Sequence, residues 1–523
     1  MRTFMAAALV AAALAGGTTG ATAKTFRFAY SGDVATMDPY IPETFTQSFL
    51  HHIYEPLVRF TADLKIEPAL AERWEVVEPT RVRFHLRKGV AFHEGGSFTA
   101  RDVVVSLKRA THPDSPVKGN LPALKDVVAV DDHTVDLILT GPTPLLYNFL
   151  TNMFIFDAEW LEAHDAVKPV DSRKGETTYA TTNTNGTGPF MLESRRPDAK
   201  TVLVVNPKWW DKPQHNIDRI EFTPIKSDAT RVAALLSGEL DLIYPSPLQD
   251  SARINGSGTA KTLEAPGLRT IMMGLNVGAA ELNASDVKGK NPLADIRVRE
   301  AVYRAINMDL IQKKIMRGKS RNAGILVAPE IPGFDAAANE RVPFDEGKSK
   351  ALLAEAGYPN GLQIGMNCPN EAYVNDEEIC QAMAAMLARV GIKANLTAQA
   401  RSAHFAKVGK GQSDMFMVGW ATLPMVDSYS VISAMLTKPE GSYGTWNPGK
   451  YSNPKIEEIA RKVAVELDEP KRRAMMTEAL TIAKNEFAWM ALHQQPMSWA
   501  VRNGVNLKQS ADDTVRIWTA TVD

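Results

Sequence analysis

Strand-like alternation and capped, amphipathic helices succeed one another along the whole of this chain, with no fixed-period repeat. Residues 25–30 (Thr-Phe-Arg-Phe-Ala-Tyr) alternate aromatic and other side chains with a period of two, and residues 81–86 do the same. Residues 127–130 and 134–139 flank Asp131-Asp132-His133 as a hairpin. Between them Thr99 stands at an N-cap with Asp102 three positions on, the capping-box spacing, and a helix follows to Arg109. This stretch reads as a small α/β unit.

After a Thr- and Asn-rich segment at 177–187, a strand is expected near 202–205, a helix over 228–236 closed by Gly238, and a strand over 241–244. The second half is richer in helix. Val298, Val302, Ala305, Leu310 and Ile311 give a helical pattern across 295–315, and Asp345 caps a helix that Gly357 ends. Ile379, Met383, Met386, Leu387 and Val390 share one face of a helix from Asp376, a core face whose methionines require no cofactor. Asn453-Pro454 and Asp468-Glu469-Pro470 each open a helix, because proline in the first turn loses no needed donor. Strands are expected at 497–501 and 515–518. The fold class that follows is α/β, or α+β.

The first 23 residues differ from the rest. Arg2, an apolar run over 4–14 and Ala21-Thr22-Ala23 have the pattern of a cleaved secretory signal, which leaves a mature chain starting at Lys24. The apolar run falls short of the ~20 residues that cross a bilayer, and Gly16-Gly17 follows it. No cysteine lies near the cleavage point to carry a lipid, so the expected location is the periplasm. The only cysteines are Cys368 and Cys380. In an oxidising compartment such a pair reads as a disulfide, which would stabilise the fold by roughly 3 kcal/mol on the chain-entropy argument; two buried free thiols are the alternative.

Fifty-nine basic side chains against 60 acidic ones leave no global field that would favour nucleic acid or an anionic membrane. Catalytic signatures are missing. There is no Gly-x-Ser-x-Gly elbow and no phosphate-binding Gly-x-x-x-x-Gly-Lys loop. His51-His52 lacks metal-ligand spacing, and His93-Glu94-Gly95-Gly96 reads as a turn. No cofactor or metal is expected. Paired cleft carboxylates of a secreted hydrolase leave no readable spacing and stay open as an alternative.

Ten short segments, in order, carry a resemblance. They are Met37-Asp38-Pro39, Ile53-Tyr54-Glu55-Pro56-Leu57, Pro68-Ala69-Leu70-Ala71-Glu72-Arg73-Trp74, Phe84-His85-Leu86-Arg87-Lys88-Gly89-Val90-Ala91-Phe92-His93 and Phe98-Thr99-Ala100-Arg101-Asp102-Val103. Gly186-Thr187-Gly188-Pro189-Phe190, Ser237-Gly238-Glu239-Leu240-Asp241, Ile296-Arg297-Val298-Arg299-Glu300-Ala301, Leu352-Leu353-Ala354-Glu355-Ala356-Gly357-Tyr358 and Gly419-Trp420 complete the set. From about residue 25 to 500 the chain resembles the extracytoplasmic solute-binding proteins of ABC importers, peptide/nickel-type family 5. Most of these residue types also suit packing and turns.

The resemblance implies a two-lobed periplasmic-binding-protein (Venus-flytrap) fold, with two crossover strands as hinge near 269–276 and 488–496. One lobe would combine 24–52, 175–275 and 493–523, an extra domain would span 53–174, and the other lobe 276–492. It implies a non-enzymatic, monomeric receptor that hands an oligopeptide or peptide-like solute to an inner-membrane ABC permease. Glutathione-like compounds, opines, oligosaccharides and metal chelates are compatible solutes; a chaperone or adhesion role is a further alternative.

In peptide-binding members an aspartate three residues after the tryptophan of the Gly-Trp motif pairs with the peptide's ammonium group. Here that position is Leu423, which cannot offset the desolvation of a cation. Asp427 is the expected substitute anion, and Trp420 the aromatic face for stacking or cation–π contact. Tyr40 and Gln47 are expected to contribute from the first lobe, and Tyr373 and, less strongly, Thr422 from the second.

Overall fold

A computed structural model describes residues 24–370 and 372–523. The segment 1–23, whose pattern reads as a secretory signal, lies outside the described residues. The backbone of the molecule is one 11-stranded mixed sheet in which two long strands, Ala260–Leu275 and Trp489–Arg502, pair antiparallel at the centre. On one side follow Leu242–Tyr244, Thr25–Tyr30, Arg219–Pro224, Lys200–Val205 and Phe190–Arg196; on the other, Met415–Trp420, Leu362–Pro369 and Ile392–Gln399. Helices make the crossovers that parallel pairing requires: Asp376–Arg389 joins the neighbours Leu362–Pro369 and Ile392–Gln399, Asp228–Ser237 joins the two strands that flank Thr25–Tyr30, and Arg401–Gly409 joins the two that flank Leu362–Pro369.

The two central strands join the sides together: Trp489–Arg502 pairs with Leu242–Tyr244, Ala260–Leu275 pairs with Met415–Trp420, and the eleventh strand, Arg321–Asn322, lies off this order on Trp489–Arg502. Residues 260–266 pair with 496–502, the register then shifts, and 270–274 pair with 489–494. At the break Pro266 faces Pro496. Neither has an N–H, so the ladder loses donors from both strands at one level, and the sheet is weakest where its halves join.

A separate four-stranded antiparallel sheet, Ala71–Glu78, Arg81–Leu86, Thr134–Leu139 and Leu124–Asp131, sits beside the first half and is covered by the helix Ala100–Thr111. Asp102 closes its capping box by accepting from the Thr99 N–H at 2.7 Å, and also accepts from Ala158 N–H at 2.9 Å. This unit shares one hydrophobic core with the first half: Phe26, Phe28 and Phe222 lie in the same cluster as Phe84, Val103 and Leu137. A buried ion pair reinforces the join. Arg109 reaches Asp38 at 2.5 and 3.2 Å, with its guanidinium over Tyr40 and Phe156.

Several segments singled out in the sequence prove to be halves of the same contact. A Cβ at Gly186 would lie 2.0 Å from the Ile53 carbonyl oxygen, and one at Gly188 would lie 2.7 Å from it. The Gly-Thr-Gly turn therefore packs directly on Ile53-Tyr54-Glu55. Thr187 Oγ1 and the indole N–H groups of Trp209 and Trp210 all donate to the buried Glu55 carboxylate. Burial pushes that carboxylate up, against the pull of Trp210 and Arg59.

Two expected elements differ. The pattern over 295–315 forms two helices, Ile296–Arg304 and Met308–Lys314, because Asn307 caps the second through Leu310 N–H. Residues 515–518 form no strand; Ile517–Thr519 is a 3-10 turn ahead of the short strand Thr521–Val522.

Cys368, at the end of Leu362–Pro369, is bonded to Cys380 in the helix Asp376–Arg389, 12 positions on. Both are fully buried. Denatured, unreduced protein should titrate no thiols and reduced protein two, and Cys380→Ser should lower unfolding free energy by about 3 kcal/mol in urea titration. Two thiols without reductant would contradict the bridge. Gly186→Ala drives a methyl into the Ile53 carbonyl and should cost at least ~2 kcal/mol by the same titration; an unchanged midpoint would refute that contact.

Candidate functional site

The halves of the sheet enclose a cavity of about 490 Å³ at the level of the proline break. The crossovers supply Gly267, Arg269, Gln495 and Met497. Tyr30, Glu43, Phe45, Tyr244, Asp512 and Asp513 line it from the first half; Arg401, Gly419, Trp420 and Leu423 line it from the second. This size suits a small-molecule or short-peptide ligand. A second chamber of about 250 Å³ adjoins it, sharing Thr44, Ser48, Leu423 and Asp512, and its wall includes Gln47, His51 and Asn152.

The floor on the first half is aromatic. Tyr30 stacks on Phe45 at 3.9 Å between centroids and meets Tyr244 at 4.8 Å. Burial and the neighbouring Glu43 and Asp513 raise the Tyr30 phenol, so it stays protonated and able to donate a hydrogen bond. Opposite, Trp420 is half-buried, packs against Trp446 and donates its indole N–H to Ser430 Oγ at 2.9 Å.

Gly419 explains its own place before Trp420. A Cβ there would lie 2.6 Å from the Tyr373 ring and 3.0 Å from Arg269 Cδ, while its carbonyl accepts from Arg269 at 3.1 Å and from Tyr373 Oη at 3.4 Å. Arg269 is thereby aimed along the cavity wall, stacked over Tyr373. Tyr373 acts behind the wall, on Arg269, and is not part of the cavity lining.

The acidic pair at the C-terminal segment divides in two. Asp512 is buried and clamped by Arg516 at 2.7 and 3.0 Å and by Ser510 at 2.6 Å; burial pushes its carboxyl up, but Arg516 outweighs this and holds it below the usual range. Asp513 is solvent-accessible from the cavity, and its Oδ1 accepts from Trp499 Nε1 at 2.8 Å. No cation lies within 4 Å of it among the described residues. Crowding by the cavity walls pushes its carboxyl up to about 6; the Trp499 N–H and the more distant Arg269 oppose that, and Asp512 adds to it.

The other expected site residues fall differently. Leu423 does open onto the cavity, and Gln47 lies in the smaller chamber. Asp427 is not a cleft anion: it is buried and held by Arg472 at 2.6 and 2.9 Å, and it also accepts from Tyr429 N–H. A carboxylate already paired inside the protein has no spare charge for a ligand. Tyr40 is buried in the join with the extra unit, its hydroxyl 2.8 Å from Phe154 O and 2.9 Å from Ser106 O. Thr422 is fully buried and lines neither chamber. Arg269, Arg401, Glu43 and Asp513 escape a motif search because each is an ordinary charged residue whose meaning comes from facing the cavity. Among the described residues no group of three His, Cys, Asp or Glu converges as a metal site.

Residues 65–443 match the bacterial extracellular solute-binding proteins, family 5, middle region. The glutathione-binding protein GsiB of Salmonella choleraesuis (strain SC-B67) is 26% identical over 481 residues, covering 90% of this chain and 89% of that protein. The dipeptide-binding protein of Escherichia coli (strain K12) is 30% identical over 431 residues, 76% of each. Among solved structures, the periplasmic binding protein DppA of Helicobacter pylori in complex with peptide STSA superposes with a TM-score of 0.77 at 23% identity, over 95% of this chain and 98% of that one. The chain belongs to the family 5 bacterial extracellular solute-binding proteins.

Proposed function

We propose that this protein is a periplasmic receptor of an ABC importer that captures a peptide or peptide-like solute between its lobes and delivers it to a membrane permease. The observation that carries this reading is the cavity of about 490 Å³ where the two halves of the sheet connect, walled by both halves and by both crossover strands. A ligand that touches both walls stabilises the closed arrangement over the open one by its differential contacts, which is the requirement for closure on binding. We assign 24–52, 175–275 and 493–523 to one lobe, 276–492 to the other, and 53–174 to an extra unit that moves with the first lobe. The shared core and the Arg109–Asp38 pair support that last point.

The secretory pattern at 1–23, the paired cysteines and the family support periplasmic residence. No reaction is assigned. The cavity holds carboxylates but no described nucleophile and base in mutual contact. Within the receptor role, Leu423 in place of the ammonium-pairing aspartate favours solutes other than those held by that aspartate, and a glutathione-like conjugate is compatible with the cavity. Trp420 is proposed as the stacking wall.

Two outcomes follow. In a panel of short peptides, glutathione, opines and oligosaccharides, one class should raise the melting temperature and remain chemically intact; at 100-fold Kd the stabilisation is about 2.7 kcal/mol. Product release from a stabilising solute would support a hydrolase instead, and no stabilisation by any member would contradict the receptor. Trp420→Ala should weaken the stabilising solute at least tenfold by calorimetry, whereas Asp427→Ala should destabilise the fold by ~3–5 kcal/mol because it leaves Arg472 buried without a partner. Unchanged affinity in the first, or unchanged stability in the second, would contradict these roles.

A further inference from the structure

The cavity places opposite charges on opposite walls. From the first lobe, Asp513 presents a carboxylate whose one described partner is the Trp499 indole N–H, with Glu43 beyond it. From the second lobe, Arg401 projects from the first residue of the helix Arg401–Gly409, exposed and without an ion pair among the described residues. Arg269 lies on the crossover between them. Both wall charges are poorly served by the fold itself. A cation in the first turn opposes the helix dipole and costs about 0.3–1 kcal/mol. Asp513 sits in a left-handed backbone conformation with φ of 60°, where its crowded carboxyl bears a desolvation cost that the Trp499 N–H and the more distant Arg269 offset only in part. The acidic residue beside it is neutralised by Arg516, so the exposed charge is specific to Asp513.

We infer that the receptor selects zwitterions, with Asp513 holding the ligand's cationic group on the first lobe and Arg401, assisted by Arg269, holding its carboxylate on the second. The class is a short free peptide or an amino-acid conjugate carrying one ammonium and one carboxylate. The inference rests on the receptor reading and adds to it a polarity: the cation goes to the C-terminal segment, across the cleft from Leu423. It also makes closure ligand-dependent. Without a ligand, Asp513 and Arg401 form no ion pair among the described residues; with a zwitterion, each wall meets its complement, so a solute with only one of the two charges pairs with only one lobe.

The test uses isothermal calorimetry on the mature full chain with Ala-Ala and Ala-Ala-Ala, each free, N-acetylated and C-amidated. At least one free form should bind, and blocking either end should weaken it tenfold or more. Asp513→Asn keeps an acceptor for Trp499 and should weaken the free form at least tenfold while leaving the N-acetylated form within twofold of wild type. Arg401→Gln should do the converse, sparing the C-amidated form. Unliganded melting temperatures of both variants within 2 °C of wild type exclude misfolding as the cause, and circular dichroism with the double variant Asp513→Asn/Arg401→Gln provides a second check. N-acetylated and free forms binding within twofold of each other, or Asp513→Asn weakening both equally, would overturn the inference. So would stabilisation of the wild type by neutral oligosaccharides alone, an outcome that leaves the receptor reading standing; binding of nothing in either panel removes both.

Discussion

The antiparallel pairing of Ala260–Leu275 with Trp489–Arg502 is the constraint on which the rest of the molecule depends. Every other strand of the large sheet belongs to one side or the other, so the halves are a single hydrogen-bonded layer only through this pair. A ladder that must both connect and bend is best interrupted at one level. Pro266 opposite Pro496 does this without exposing buried N–H groups, since proline has none. Gly267, next to the break, is closely packed: a Cβ would meet Met497 at 3.0 Å and the Gln495 carbonyl at 3.1 Å.

The cavity follows from that break. Where the strands part, their side chains no longer fill a shared pleat, and the space is walled instead by what each half brings to it: an aromatic floor of Tyr30, Phe45 and Tyr244 on one side, the Gly419-Trp420 strand end on the other. Charge placement is economical. Of the three acidic residues that line the cavity, Asp512 is spent on Arg516, which leaves Glu43 and Asp513; Asp427, outside that lining, is spent on Arg472. The near-neutral total of 59 basic and 60 acidic residues therefore says little about the ligand, because preference is set by two or three side chains within one cavity.

Elements announced by local chemistry were legible in the sequence. The Thr99–Asp102 capping box, the Gly238 stop, the Asn453-Pro454 and Asp468 starts and the Cys368–Cys380 bridge all depend on residues close in the chain, and all appear where the spacing puts them. The family resemblance rested on segments such as Gly186-Thr187-Gly188 and Ile53-Tyr54-Glu55, which are packing contacts over 130 positions apart and carry no ligand chemistry. The site was less legible for the same reason. Asp427 looks like a free anion in sequence, yet Arg472, 45 positions on, neutralises it. Tyr40 looks like a cleft aromatic, yet the buried Arg109–Asp38 pair encloses it. Asp512 and Asp513 stand side by side in the sequence, and their long-range and local partners, Arg516 and Ser510 for the first and Trp499 for the second, distinguish them. Whether a charge is available depends on long-range partners, which spacing does not encode.

If the proline break is a hinge and the cavity is where the lobes close, binding must change the shape of the whole molecule. Small-angle X-ray scattering of the full mature chain, with and without a saturating solute that raises its melting temperature, measures this directly. The account predicts a smaller radius of gyration and a shorter maximum dimension in the liganded protein, with Pro266→Ala/Pro496→Ala shifting the unliganded value. Identical scattering curves at full occupancy would contradict closure between the lobes and with it the account of how this receptor holds its ligand.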